Sequence, residues 1–239
     1  MAETSARLCG NGEDCAILFA RTPSPGRVKS RLFTHLTPDQ ACQLHCASTN
    51  DMIALLDRAL PTVNKWLFLS EPPAANVAET GLDVPGSFRC AIQEGKNLGD
   101  RMAAAFARAF ASGSRRVVIF GSDSPTLPVG IPAQAFQTLD HSDLVLGPTS
   151  DGGYYLIGCR RFDAELFQDV EWSTSRTLVQ TLANVERLSL QVALLEPWFD
   201  LDEWKDIERV LSDARRGEPV PCHLAAFLKQ LDAAGSQSA

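Results

Sequence analysis

Short runs of consecutive apolar residues recur along the chain, separated by stretches whose apolar positions return every three or four residues. Cys15-Ala-Ile-Leu-Phe-Ala20, Val63 to Leu69, Phe88 to Ile92, Val117-Val-Ile-Phe120, Asp143 to Pro148 and Leu190 to Leu195 read as strands. Several lack the polar alternation of a half-solvated sheet, as expected of strands covered on both faces by helices. Residues 38 to 59 read as a helix opened by Thr37-Pro, with Leu44, Met52, Ile53, Leu55 and Leu56 at helical spacing. Further helices are predicted up to about Ala111, around Pro132 to Leu139, from a cap at Trp172-Ser-Thr-Ser through Leu182, and a final one to about Arg215. Strands that alternate with helices predict an α/β fold, a three-layer α/β/α sandwich around a mainly parallel, mixed sheet.

At 239 residues and 45% hydrophobic, the chain suits one sizeable core. One domain over residues 15–232 is expected, with a polar leader over 1–14 and a frayed tail over 233–239. The net charge of -7 argues against a sequence-independent grip on nucleic acid. No apolar run approaches the roughly 20 residues of a membrane span, and no secretory signal pattern opens the chain, so a cytoplasmic protein is expected. The seven cysteines form no C-x-x-C pair. Cys15, Cys90 and Cys159 fall in predicted strands as small hydrophobes, and Cys42, His45 and Cys46 share a helix, as packing or as a metal site.

Candidate chemistry gathers where strands end. Asp123, in Gly-Ser-Asp-Ser-Pro-Thr-Leu-Pro, follows the apolar run 117–120; it either caps a turn or holds a metal or substrate hydroxyl at the carboxyl end of the sheet. Arg27, Lys29 and Arg31 lie within five residues after the first strand, in a loop stiffened by two prolines and opened by Gly26. Three cations there suit a di- or triphosphate, against the plainer reading of a solvated basic face. The G-x-x-x-x-G-K-[ST] and G-x-G-x-x-G patterns are absent, which disfavours a Walker nucleotide site and a dinucleotide-dependent dehydrogenase. Gln93 to Arg101, with Gly99, forms a second strand-to-helix turn where a base or ribose has room. Asp151-Gly152-Gly153-Tyr154 reads as a hairpin-like turn, or as a floor for a sugar ring. Asp200 and Asp202 follow the last strand; Asp202 is equally a helix N-cap.

Four segments taken together, Phe-Ala-Arg-Thr-Pro-Ser-Pro-Gly-Arg-Val-Lys-Ser-Arg-Leu, Leu-Gly-Asp-Arg-Met, Gly-Ser-Asp-Ser-Pro-Thr-Leu-Pro and Leu-Gly-Pro-Thr-Ser-Asp-Gly-Gly-Tyr-Tyr-Leu-Ile-Gly, resemble the bacterial DUF2064 family, the radical-SAM and selenodomain-associated "transferase 1" proteins. The resemblance covers about residues 15 to 210 and implies the GT-A fold of nucleotide-diphospho-sugar transferases. It implies that Gly26, Arg27, Lys29 and Arg31 grip the nucleotide phosphates, that Gln93, Gly99 and Arg101 lie near the base and ribose, and that Asp123 is the metal-binding acid. Here Ser-Asp-Ser replaces Asp-x-Asp, so that element supplies one carboxylate. Asp200 and Asp202 align with a late Asp-x-Asp-Thr element, with Glu203 in place of threonine.

The implied cofactor is Mg2+ or Mn2+, and the implied partners are a nucleotide-sugar or NTP and a small-molecule acceptor. The catalytic set is Asp123, Asp151 and Lys29, with Asp151, Gly152, Gly153 and Tyr154 toward the sugar or acceptor. Three readings stay open: a metal-dependent glycosyltransferase, a nucleotidyltransferase that releases pyrophosphate, and a non-catalytic nucleotide-binding protein. The oligomeric state is not legible.

Overall fold

The computed structural model describes residues 14–74 and 76–236. The expected leader therefore lies outside the described residues except for Asp14, which already belongs to the first strand. The strands are β1 (Asp14–Ala20), β2 (Asn64–Leu69), β3 (Phe88–Ile92), β4 (Arg116–Gly121), β5 (Leu144–Pro148), β6 (Tyr154–Cys159) and β7 (Val192–Leu194). They form one seven-stranded sheet in the order β3-β2-β1-β4-β6-β5-β7. Only β6 runs antiparallel to its neighbours, because the Asp151-Gly152-Gly153 turn folds it back on β5 as a hairpin. The sheet is mixed and mainly parallel, as the alternation of strands and helices predicts.

The helices are α1 (Pro38–Ala59), α2 (Leu98–Ala111), α3 (Ile131–Thr138), α4 (Thr177–Arg187), α5 (Trp204–Arg215) and α6 (Cys222–Ser236). Along β1, Ala16, Leu18 and Ala20 face α1 and α3, packing with Met52, Leu56 and Phe136. Cys15, Ile17 and Phe19 face α2 and α4, packing with Met102, Phe106 and Val185. Apolar side chains on both faces are what an unalternating strand needs. A third cluster lies outside this sandwich, where Leu32, Leu36 and Leu44 meet Ile207 and Val210 of α5 and Leu224 and Phe227 of α6.

Several expectations are corrected. The helix expected from Trp172 starts at Thr177, because Ser173 has left-handed backbone (φ 62) that no helix accepts. Arg215 does not close the last helix. A sixth helix follows and runs to Ser236, past the expected tail boundary at 233. Its docking depends on Asp51, a buried carboxylate of α1 that accepts hydrogen bonds from the backbone N–H of His223 (3.0 Å) and Leu224 (2.8 Å). These are orphan donors of the first turn of α6, so an acid from α1 supplies its cap. Cys90 is exposed, whereas Cys15 and Cys159 are buried as expected. Cys42, His45 and Cys46 of α1 serve packing and bracing: His45 Nε2 pairs with the Arg21 carbonyl at 2.9 Å, and Cys46 Sγ donates to the Thr80 carbonyl at 3.4 Å.

Candidate functional site

The chain builds outward from β1 to β2 and β3, then returns to the other side of β1 as β4. Such a reversal, where the loops leaving neighbouring strands diverge, is the place at which open α/β sheets bind their ligands. Phe19 pairs with Gly121 at this edge, so the loops after β1 and β4 start side by side.

The loop after β1 is rigid for identifiable reasons. Thr22 N–H donates to Ser70 Oγ (3.0 Å), and Arg27 N–H closes a turn onto the Ser24 carbonyl (3.1 Å). Gly26 sits in that turn at φ 80, a value that favours glycine. Val28 and Leu32 are buried. Lys29, between them, has left-handed backbone (φ 49, ψ 37), a conformation that costs a non-glycine residue about 1 kcal/mol or more and persists only where its surroundings hold it.

What holds Lys29 is a ring of three acceptors. Its ammonium lies 2.5 Å from Asp123 Oδ1, 3.0 Å from Asp202 Oδ1 and 2.8 Å from the Leu201 carbonyl, and the Lys29 side chain is 3% exposed. Leu201 N–H in turn donates to the Asp123 carbonyl (2.8 Å), so the loops after β1, β4 and β7 are tied at one point. Burial works against the Lys29 charge, yet the two carboxylates outweigh it and raise its pKa above the ordinary lysine value. For Asp123, burial pushes upward, but the Lys29 ammonium holds the carboxyl below the usual range. The third acid, Asp200, accepts a hydrogen bond from Ser124 Oγ. Burial, and then the charge of Asp123, push Asp200 up to about 7. His45 is buried, and burial first holds its pKa below the ordinary histidine value, against the opposing pull of the Asp123 charge.

The two arginines behave differently. Arg27 pairs with Glu71 (2.8 Å) and Arg31 lies 3.7 Å from Asp202, with their side chains 67% and 63% exposed. Pairs this exposed are weak, so both guanidinium groups stay open to a stronger anion. At the second turn, Gln93 Nε2 donates to the carbonyls of Ala20 (3.2 Å) and Phe68 (3.0 Å), bracing the ends of β1 and β2. Gly99 lies under Trp172, where an added Cβ would come within 2.6 Å of the ring. Arg101 Nε reaches the Gly95 carbonyl at 3.3 Å.

In the hairpin, Asp151 Oδ1 accepts from Thr149 Oγ1 (2.5 Å) and from Gly153 N–H (3.1 Å), and Asp151 is exposed. Gly152 (φ 89) passes so close to the Ser175 backbone that no Cβ fits. Tyr154 packs into the core on the α2 side, and its hydroxyl is buried there. Asp202 does not cap α5; that position is Glu203, paired with Asp206 in a capping box.

Two contributors escape a reading of residue types alone: Ser124 and the backbone carbonyl of Leu201. Ser122 and Ser124, both buried, are the one signal, because a buried hydroxyl beside an acid requires a partner. Asp123, Asp200 and Asp202 offer the hard oxygens that Mg2+ or Mn2+ takes. However, Asp123 and Asp202 each give an oxygen to Lys29, and Asp200 is engaged by Ser124. As folded, no divalent ion fits between Asp123 Oδ1 and Asp202 Oδ1, and among the described residues no group of three His, Cys, Asp or Glu is spaced to hold one. A separate cavity of about 500 Å³ lies between α1 and α6, lined by Cys42, Cys46 and Phe227, and it reaches this loop at Pro25.

A family model described as an uncharacterized protein conserved in bacteria, DUF2064, matches residues 56–174. The crystal structure of a proposed nucleotide-diphospho-sugar transferase from Desulfovibrio desulfuricans G20 is 30% identical, covers 93% of this chain and 96% of that one, and superposes with a TM-score of 0.83. The chain belongs to the DUF2064 family.

Two more distant structures share the fold alone with this DUF2064 protein. A CMP:2-keto-3-deoxy-manno-octonic acid synthetase complexed with CTP is 9% identical over 86% of this chain and 99% of that one, with a TM-score of 0.53. The 4-diphosphocytidyl-2C-methyl-D-erythritol synthase of Anaerococcus prevotii DSM 20548 is 10% identical over 84% of this chain and 96% of that one, with a TM-score of 0.55. No curated protein matches the chain. The neighbours are thus nucleotide-related transferases, on the fold of nucleotide-diphospho-sugar transferases. No helix among the described residues is long and apolar enough to cross a membrane.

Proposed function

We propose that this DUF2064 protein is a transferase that takes a nucleotide-diphospho-sugar as donor and passes the sugar to a small-molecule acceptor. The observation that carries the reading is the pair of exposed guanidinium groups, Arg27 and Arg31, on a rigid Pro-Gly loop at the sheet's switch point. A diphosphate offers each a charge-assisted, bidentate partner stronger than its present surface carboxylate. In the reaction the bond between the sugar carbon and the β-phosphate oxygen breaks, and the diphosphate leaves with the electron pair. The acceptor oxygen bonds to the carbon and gives up its proton to an oxygen of the departing diphosphate or to solvent water. The arginines stabilise the charge that develops on the leaving group. Asp151 is exposed with one oxygen engaged in its own turn, and we assign it to orienting a sugar hydroxyl rather than to taking a proton. No step is routed through a metal ion, since Lys29 already holds Asp123 Oδ1 and Asp202 Oδ1.

A second reading has support from a structural neighbour: the synthetase of the same fold complexed with CTP favours nucleotidyl transfer from an NTP with release of pyrophosphate. A thermal-shift panel of NDP-sugars and NTPs separates the two. Stabilisation by an NDP-sugar that is lost in Arg27→Ala supports the first reading. Stabilisation by an NTP together with pyrophosphate release supports the second. No shift from any nucleotide sinks both, and tight binding without product from any donor identifies a non-catalytic nucleotide binder.

A further inference from the structure

The Lys29 ammonium has three protons to donate and three acceptors around it: Asp123 Oδ1, Asp202 Oδ1 and the Leu201 carbonyl. We propose that Lys29 is the resident cation of the Asp123–Asp202 pair, so that a divalent ion and Lys29 are mutually exclusive occupants of one seat. The distances set the exclusion. A Mg2+ or Mn2+ ion bonded to these two oxygens sits at about 2.0–2.2 Å from each. The ammonium already lies 2.5 and 3.0 Å from the same atoms, which leaves no room for both.

Lys29 is also not free to swing aside. Its backbone is fixed in the left-handed region between the buried anchors Val28 and Leu32, and its side chain is 3% exposed. The Leu201 N–H bond to the Asp123 carbonyl closes the ring from the other side. Lys29 is therefore a positioning residue: it neutralises the paired acids, ties the loops after β1, β4 and β7 together, and leaves phosphate contact to Arg27 and Arg31. This inference rests on the geometry of the carboxylates and not on the transfer reaction, so it stands or falls separately from the donor's identity.

The test uses Mn2+ alone, without nucleotide, on the full chain, read by electron paramagnetic resonance and by melting temperature. The wild-type protein is expected to show no Mn2+ site that depends on Asp123 or Asp202. In Lys29→Met, which keeps the bulk and removes the charge, one Mn2+ site is expected to appear. Its affinity should be at least tenfold above any wild-type binding, it should disappear in Lys29→Met/Asp123→Asn, and Mn2+ should raise the melting temperature of Lys29→Met but not of the wild type. A wild-type Mn2+ site lost in Asp123→Asn or Asp202→Asn overturns the proposal, and that measurement holds even if Lys29→Met does not fold. A folded Lys29→Met, or the alternative Lys29→Gln, that gains no Mn2+ site overturns it equally.

Discussion

Asp200 makes the protein's stability depend on pH in a direction opposite to most carboxylates. Burial first, and then the nearby negative charge of Asp123, lift its pKa from 3.8 to about 7. A folded value above the unfolded one means that the native state binds the proton more tightly. The contribution is complete below the unfolded pKa and is lost as pH rises through about 7. Applying linkage to a shift of about three units, the loss between pH 5 and pH 8 has a ceiling of about 2–3 kcal/mol, at 1.36 kcal/mol per unit.

Asp200→Asn keeps an oxygen for the Ser124 hydroxyl and cannot ionise, so it should remove this slope. Urea unfolding of wild type and variant across pH 5–8 measures it. The stability curves should converge below about pH 4, and the gap in favour of Asp200→Asn should widen by about 1–3 kcal/mol between pH 5 and pH 8. Curves that stay parallel across the range, or a variant that loses ground as pH rises, would refute the account of this site as an acid held partly protonated by its neighbours.

Other perturbations discriminate site from scaffold. Arg27→Ala and Arg31→Ala should each weaken nucleoside-diphosphate binding by roughly 5- to 30-fold, more at low salt, with melting temperature unchanged because their present ion pairs are exposed; titration calorimetry checks this. Asp51→Ala leaves the buried Leu224 N–H and the half-buried His223 N–H at the start of α6 without this partner, and chemical denaturation should show a loss of about 1–3 kcal/mol, with faster hydrogen exchange in α6. Gly99→Ala drives a methyl to within 2.6 Å of the Trp172 ring, so a destabilisation of about 1–3 kcal/mol should accompany a shift in tryptophan fluorescence.

Much of the fold is legible in the chain because period and burial agree. The run Val117 to Phe120 is apolar throughout, and the structure puts Val118 and Phe120 against α1 and α3 and Val117 and Ile119 against α2. Thr37-Pro38 starts a helix where it should, since the threonine side chain accepts from Gln40 N–H at 3.2 Å. What escapes is decided at long range. The cap of α6 is an aspartate 172 residues away from the helix it caps, and no local pattern announces it. Trp172-Ser-Thr-Ser has the residue types of a cap, yet Ser173 takes left-handed backbone and the helix starts later, at Thr177. Residue type gives propensity, and tertiary contacts choose among the conformations it allows.

The candidate site divides along the same line. That Asp123 and the basic loop meet follows from topology: an acid after β4 and cations after β1 must be neighbours once those strands pair. The individual duties of the three cations do not follow, because spacing treats Arg27, Lys29 and Arg31 as equals. Their difference comes from two buried neighbours. Val28 and Leu32 pin the loop on either side of Lys29, so its side chain turns inward while Arg27 and Arg31 stay in solvent. An ammonium with three donors then suits a pocket of three oxygens, where a planar guanidinium would leave donors unmatched. The same reasoning extends to Asp200: Lys29 is bonded to Asp123 and Asp202 and lowers the Asp200 pKa less than burial and the Asp123 charge raise it, so the third acid keeps a serine hydroxyl and a raised pKa. The lysine's place in the ring thus sets both the openness of the arginines toward phosphate and the unusual acidity of Asp200.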